Sequence, residues 1–170
     1  MSPCVDLAEP LRIRDFAGSL GEYIDYLESE YRAIVGDPGV TLWGMPVRAE
    51  GGQAADGRDV CFWHLITRQA PGGTENDRFL DLFRASLVPR VRDLLERLAR
   101  DDPRACWWPE REKHGRSSVH VASVDFGLHV VLRRAGPVFM LRTAWPLVAH
   151  GTRARLMARA ARGWEADGSR

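Results

Sequence analysis

A chain of 170 residues, 45% hydrophobic and 28% charged, has the size and balance of one globular domain that buries roughly two thirds of its unfolded surface, so it needs no covalent staples. Its three cysteines, Cys4, Cys61 and Cys106, are odd in number and widely spaced, which excludes a disulfide framework, a zinc ribbon and a paired-thiol redox motif. The net charge of +1 hides a division: residues 1–60 hold 11 acidic and 5 basic side chains (−6) and residues 61–170 hold 12 and 19 (+7), so the second part suits a polyanion.

The N-terminus has no basic region followed by an apolar run, and no stretch reaches about 18 apolar residues. The sequence therefore reads as an intracellular, cytoplasmic protein with reduced thiols and no membrane association. Residues 18–35 read as a helix, because Leu20, Tyr23, Ile24, Leu27, Tyr31 and Ile34 recur at helical spacing before the Gly36-Asp37-Pro38-Gly39 stop, with Ser19 as cap. Residues 40–47 form a short strand or extended segment, and residues 50–58 an exposed loop. Residues 60–67 fit strand or helix equally, and residues 69–77 are a flexible connection.

Over residues 78–100, Leu80, Phe83, Leu87, Val91, Leu94 and Leu98 make one helical stripe. Pro89 interrupts it, which predicts a kink or two abutting helices near Val88. Residues 101–117 are irregular. Beyond them the period becomes two, and residues 119–124, 128–133 and 138–145 read as three strands joined by Asp125-Phe126-Gly127 and Ala135-Gly136-Pro137. Connections this short define an antiparallel meander. Residues 151–165 form a terminal helix. The fold class expected is α+β, with N-terminal helices on a small antiparallel sheet and a C-terminal helix. It is read as a single domain over 1–170, divided into an N-terminal helical part (1–39), a core (40–148) and a C-terminal helix and tail (149–170).

Three clusters carry residues capable of chemistry. In Trp63-His64-Leu65-Ile66-Thr67-Arg68, His64 and Arg68 stand four apart, a spacing that aligns them on one side of either a helix or a strand. An imidazole suits proton transfer at neutral pH and an arginine neutralises phosphate; a hydrogen-bonded core histidine between Trp63 and Leu65 is the other reading. In residues 106–116, Trp107 and Trp108 precede Lys113, His114 and Arg116, the mixture of rings and cations that a single-stranded nucleic-acid groove needs. The same residues also fit a tryptophan plug followed by a solvated charge run. In Leu141-Arg142-Thr143-Ala144-Trp145, alternation sets Thr143 and Trp145 on one face with Phe139 and Leu141, either extending the core or meeting a ligand at the rim.

No G-x-G-x-x-G, phosphate-cradling G-x-x-x-x-G-K-[ST], H-E-x-x-H or G-x-S-x-G motif is present. The five histidines, at 64, 114, 120, 129 and 150, have no close carboxylate pairing along the chain, so neither a metal nor another cofactor is expected. The order of Trp-His-Leu-Ile-Thr-Arg, an arginine-bearing helix, a tryptophan-containing approach and a strand ending Leu-Arg-Thr-Ala-Trp resembles phage and toxin-type nucleases of the barnase, EndoU, colicin and RelE group. The resemblance spans roughly residues 40–148, and Trp145 stands where the group has a tyrosine. It implies a metal-independent ribonuclease acting as a toxin in a defence or toxin–antitoxin setting, in which a ribose 2′-hydroxyl attacks the adjacent phosphorus. It assigns His64, Arg68, Arg84 and Thr143 to catalysis and Lys113, His114, Arg116 and Trp145 to RNA binding, with an antitoxin or immunity protein as partner. A non-catalytic RNA-binding or phage-associated interaction module is the alternative.

Overall fold

The computed structural model describes residues 13–74, 77–111, 116–125, 127–147 and 150–166. After a 3-10 turn at Ile13–Phe16, helix α1 spans Leu20–Val35. It begins two residues after the start expected at residue 18, because Gly18 adopts a φ of 78° and Ser19 caps the helix by accepting the Glu22 N–H at 3.4 Å. Tyr23, Leu27, Tyr31 and Ile34 are buried along one side. Arg48 donates to the Gly36 carbonyl at 2.7 Å, a cation placed where the helix dipole is negative.

The extended segment expected at 40–47 is a hairpin, β1 (Thr41–Leu42) and β2 (Met45–Ala49). Its two turn residues, Trp43 and Gly44, both have positive φ, 49° and 78°, as a tight two-residue hairpin requires. The ambiguous segment at 60–67 divides: α2 covers Val60–Ile66, and the chain becomes extended at Thr67 to give β3 (Thr67–Gln69), which pairs with β4 (Arg78–Leu80). The helical region expected at 78–100 therefore starts with a strand. It continues as two helices, α3 (Leu82–Ala85) and α4 (Val88–Ala99). Asp81 accepts the Phe83 and Arg84 N–H groups at 3.0 and 3.1 Å. Pro89 lies in the first turn of α4, where a missing N–H removes no helical hydrogen bond.

The meander has four strands rather than three: β5 (Ala105–Arg111), β6 (Ser117–Ser123), β7 (Leu128–Ala135) and β8 (Val138–Pro146). Strand β5 lies within the segment read as irregular. It occupies the edge of the sheet, a place that tolerates Pro109. The sheet order is β1-β2-β8-β7-β6-β5. β5 to β8 run antiparallel, whereas β2 lies parallel to β8, with Val47, Arg48 and Ala49 opposite Phe139, Met140 and Leu141. The fold is α+β, with a mixed sheet in place of a purely antiparallel one. Helix α5 spans His150–Ala166. No helix among the described residues is long and apolar enough to cross a membrane.

Alternation along the strands sorts side chains into two layers. Val119, Val121, Val130, Leu132, Phe139, Leu141 and Ala144 join α1, α2 and α4 in the main core. On the other side Trp108 and Ala122 pack with Leu147, Leu156 and Ala160 of the α5 region. Strand β8 breaks its own alternation: Val131 faces Thr143 while the next residue, Leu132, faces Leu141. Arg142 is the extra residue of a β-bulge. The bulge corrects the face expected for Thr143 and Trp145, which lie opposite to Phe139 and Leu141 and on the side of His129 and Val131.

Deleting Arg142 would return Thr143 and Trp145 to the core side. It is expected to abolish the cooperative thermal transition followed by circular dichroism. Arg142→Ala keeps the backbone and loses one exposed ion pair, so its stability should change by about 1 kcal/mol or less.

Candidate active site

The sheet face turned away from α1 and α4 carries a polar layer. In register across the strands stand Trp108, His120, Val131 and Thr143, and beside them Ala122, His129 and Trp145. Helix α5 covers the β5 side of this face. On the β8 side a cleft of about 530 Å³ stays open, lined by Val60 and His64 of α2, Glu50 and Gly51, His120, Val131, and Arg142, Thr143 and Trp145. His64, Thr143 and Trp145, nominated from the sequence, thus share one cleft despite nearly 80 residues between them.

His64 reaches the cleft because α2 buries Cys61, Phe62, Leu65 and Ile66 and leaves positions 60 and 64, one turn apart, on the free side. The end of α2 is tied to β8 by Arg84, whose Nη2 donates to the carbonyls of His64 at 3.0 Å and Ala144 at 3.1 Å. Its Nε is buried without a hydrogen-bond partner. Burial, and secondarily the charge of Arg78, lower the pKa of this guanidinium. Arg84 is therefore a brace between the two elements that carry the site, and it does not line the cleft as a phosphate contact.

Arg68 also lies elsewhere. Its guanidinium sits 4.7 Å over the Phe79 ring and 3.5 Å from Asp81. A helix-to-strand change at Thr67 falls between His64 and Arg68, so neither the helical nor the strand period relates them. Arg116 is exposed at the start of β6 and is absent from the cleft lining. Lys113 and His114 lie outside the described residues. Trp107 packs against Trp43 with ring centres 4.8 Å apart, and Trp108 is 1% exposed, so both rings serve as packing.

The cation at the cleft wall is Arg142, which the sequence reading did not select. Glu50 holds Arg133 at 2.7 Å through one oxygen and Arg142 at 3.0 Å through the other, leaving the trio with net positive charge. The second cleft imidazole, His120, was also missed. Its Nδ1 is 2.9 Å from His129 Nε2, and its Nε2 is 3.1 Å from Ser118 Oγ and 3.4 Å from a Glu110 oxygen. That carboxylate comes from a neighbouring strand, a pairing hidden along the chain. Ser118, His120, His129 and Val131 all occupy the non-core phase of two alternating strands, the one sequence signal that groups them.

His129 is 1% exposed and lies parallel to Trp108, with centroids 5.7 Å apart and 3° between planes. The Trp145 ring meets it edge-on at 4.8 Å. Burial, followed by the neighbouring His120, pushes the His129 pKa down to about 3. Burial also pushes the thiols of Cys61 and Cys106 up to about 11, so neither is a thiolate nucleophile at neutral pH. Among the described residues no group of three or more His, Cys, Asp or Glu is placed to hold a metal ion. Comparison of the chain with family models, with curated proteins and with solved structures finds no match.

Two outcomes follow for stability. Replacing Arg84 with Met removes both carbonyl contacts and is expected to cost about 2 kcal/mol in urea melts. For His129, the unfolded chain takes up a proton near pH 6.5 and the folded chain only near pH 3. Stability from this group is full above pH 6.5 and falls by about 1.4 kcal/mol per unit as pH drops through that window. His129→Phe should make the acid limb shallower by that slope when melts are compared between pH 6 and 4.

Proposed function

We propose that the chain is a metal-independent endoribonuclease with the role of a toxin, as its resemblance to the barnase, EndoU, colicin and RelE group implies. The observation that carries the reading is the convergence of His64, Arg142, Thr143 and Trp145 on one open cleft. In this reading the ribose 2′-hydroxyl attacks phosphorus while its proton passes to His64. The bond to the 5′-oxygen breaks, and that oxygen takes a proton from solvent reaching the cleft. Arg142 and the Thr143 hydroxyl face the charge that builds on the phosphoryl oxygens. Trp145 offers an indole face for a base, a role that needs no phenolic hydroxyl.

Arg142 takes the phosphate role first given to Arg68 and Arg84, because those two guanidiniums are engaged outside the cleft. An antitoxin or immunity protein would act by covering the same opening with acidic side chains, matching the positive balance of residues 61–170.

The test is incubation of purified protein with total RNA in EDTA, followed by mapping of fragment ends. Ends carrying 2′,3′-cyclic phosphate are the expected result, whereas 3′-hydroxyl ends would indicate an activated water. His64→Ala should lower cleavage by about 10²- to 10⁴-fold while RNA affinity stays near wild type. Affinity should fall with salt, with a log–log slope of about −0.7 for each phosphate neutralised on a single strand. Wild-type protein that binds RNA with this slope and never cuts it would replace the enzyme with an RNA-binding module.

A further inference from the structure

We propose that His129 is a positioning residue that fixes His120 as its Nε2–H tautomer, with that N–H directed to Ser118 and Glu110, so that His64 rather than His120 serves the cleft as base. The argument starts from the direction of the hydrogen bonds. Ser118 Oγ donates to the Glu110 carbonyl at 3.3 Å, which leaves its lone pairs for the His120 Nε2–H at 3.1 Å. A Glu110 carboxylate oxygen stands 3.4 Å from that same nitrogen. A bare nitrogen lone pair facing a carboxylate would be repelled, whereas an N–H is attracted. The proton therefore sits on Nε2, and Nδ1 of the neutral ring is an acceptor.

The group opposite Nδ1 is His129 Nε2 at 2.9 Å, which must then be the donor. His129 Nδ1 is buried with no hydrogen-bond partner. With the proton on Nε2, the unpartnered atom is a lone pair. The reverse tautomer would bury an N–H without an acceptor, the costlier of the two. All donors thus run one way, from His129 to His120 to Ser118 to the Glu110 carbonyl.

Each ring is also held in plane. Trp108 lies against His120 at 5.4 Å and against His129 at 5.7 Å, and Trp145 closes the β8 side. From α5, Arg159 approaches the other Glu110 oxygen at 3.5 Å. Protonating His120 at Nδ1 would set its new N–H against the N–H of His129. That clash is why a second imidazole in the cleft does not duplicate His64. The role of His64 as base rests on the ribonuclease reading; the tautomer is a property of the free protein.

The experiment is a long-range ¹H–¹⁵N correlation spectrum of the full chain with labelled histidines at pH 7.5, with His120 assigned from His120→Gln. The expected spectrum shows both His120 and His129 protonated on Nε2 and bare on Nδ1. In His129→Leu, His120 should populate the Nδ1–H form, and His129→Gln, whose amide can donate in place of Nε2–H, should restore the wild-type pattern. A wild-type His120 protonated on Nδ1, or a tautomer that His129→Leu leaves unchanged, overturns the proposal. If His129→Leu does not fold, the wild-type and His129→Gln spectra still decide.

RNA cleavage separates this proposal from the reading beneath it. His64→Ala should lose cleavage although His120 is intact, because the Nδ1 lone pair of His120 is occupied by His129 and its Nε2 carries the proton. The expected tautomers in a protein that cuts no RNA would leave the positioning role standing and remove the ribonuclease. Cleavage by a protein whose His120 is protonated on Nδ1 would do the reverse.

Discussion

Leu141 and Ala144 both face the main core, yet they stand three residues apart, an odd spacing that a regular strand would send to opposite sides. The strand can satisfy both only by setting one residue aside, and Arg142 is that residue. The hydrophobic gain from seating two apolar side chains fixes the bulge, since slipping the register would expose them. The β8 wall of the cleft follows from this offset. Thr143 and Trp145 move to the polar face, and Arg142 is left at the cleft wall beside Glu50.

The bulge alone would not make a site, because its partner His64 comes from a short helix on the far side of β8. Arg84 joins the two by donating to a carbonyl on each, just before and just after the places where the chain departs from regular structure. Five fixed donors on a planar group suit this use better than the rotating ammonium of a lysine. A half-buried guanidinium is costly to desolvate, and here the two carbonyl contacts and the nearby Asp81 charge offset part of that cost. The same arrangement makes Arg84 a poor phosphate ligand, since its charge is already directed inward.

What the sequence discloses depends on whether a feature is local. Helix α1 and the stripe of Val91, Leu94 and Leu98 in α4 are legible because apolar spacing, Ser19 and Pro89 act within a few residues. Strands β6 to β8 are legible from alternation and their turns. Strand β5 is concealed by Pro109 and the charges beside it, which only an edge position explains. The parallel match of β2 with β8 joins residues about 90 apart, and no local pattern encodes it. The tie between His64 and Arg68 was inferred from a constant period, and it fails where the chain passes from helix to strand at Thr67. In β8 the warning was present, since the apolar series Phe139, Leu141 is followed by Ala144 rather than by position 143. His120 and Arg142 escaped notice because their partners, His129, Glu110 and Glu50, come from other strands or loops.

The charge division of the sequence takes a different meaning once the chain is folded. Acidic groups of the first 60 residues reach basic groups of the remainder, with Glu30 at 3.3 Å from Arg92 and Glu50 between Arg133 and Arg142. Others are engaged locally, as Arg58 gathers Asp25, Glu28 and Asp56. Part of the charge division is thus neutralised through specific pairs. At the cleft this matters for selectivity. Glu50 repels an anion, but its exposed pair with Arg142 contributes at most about 1 kcal/mol. A phosphate that draws Arg142 away loses little, because Glu50 keeps Arg133. A neutral ligand gains nothing from the exchange and leaves the pair closed. An anion that displaced Glu50 from Arg142 would therefore forfeit only about 1 kcal/mol or less.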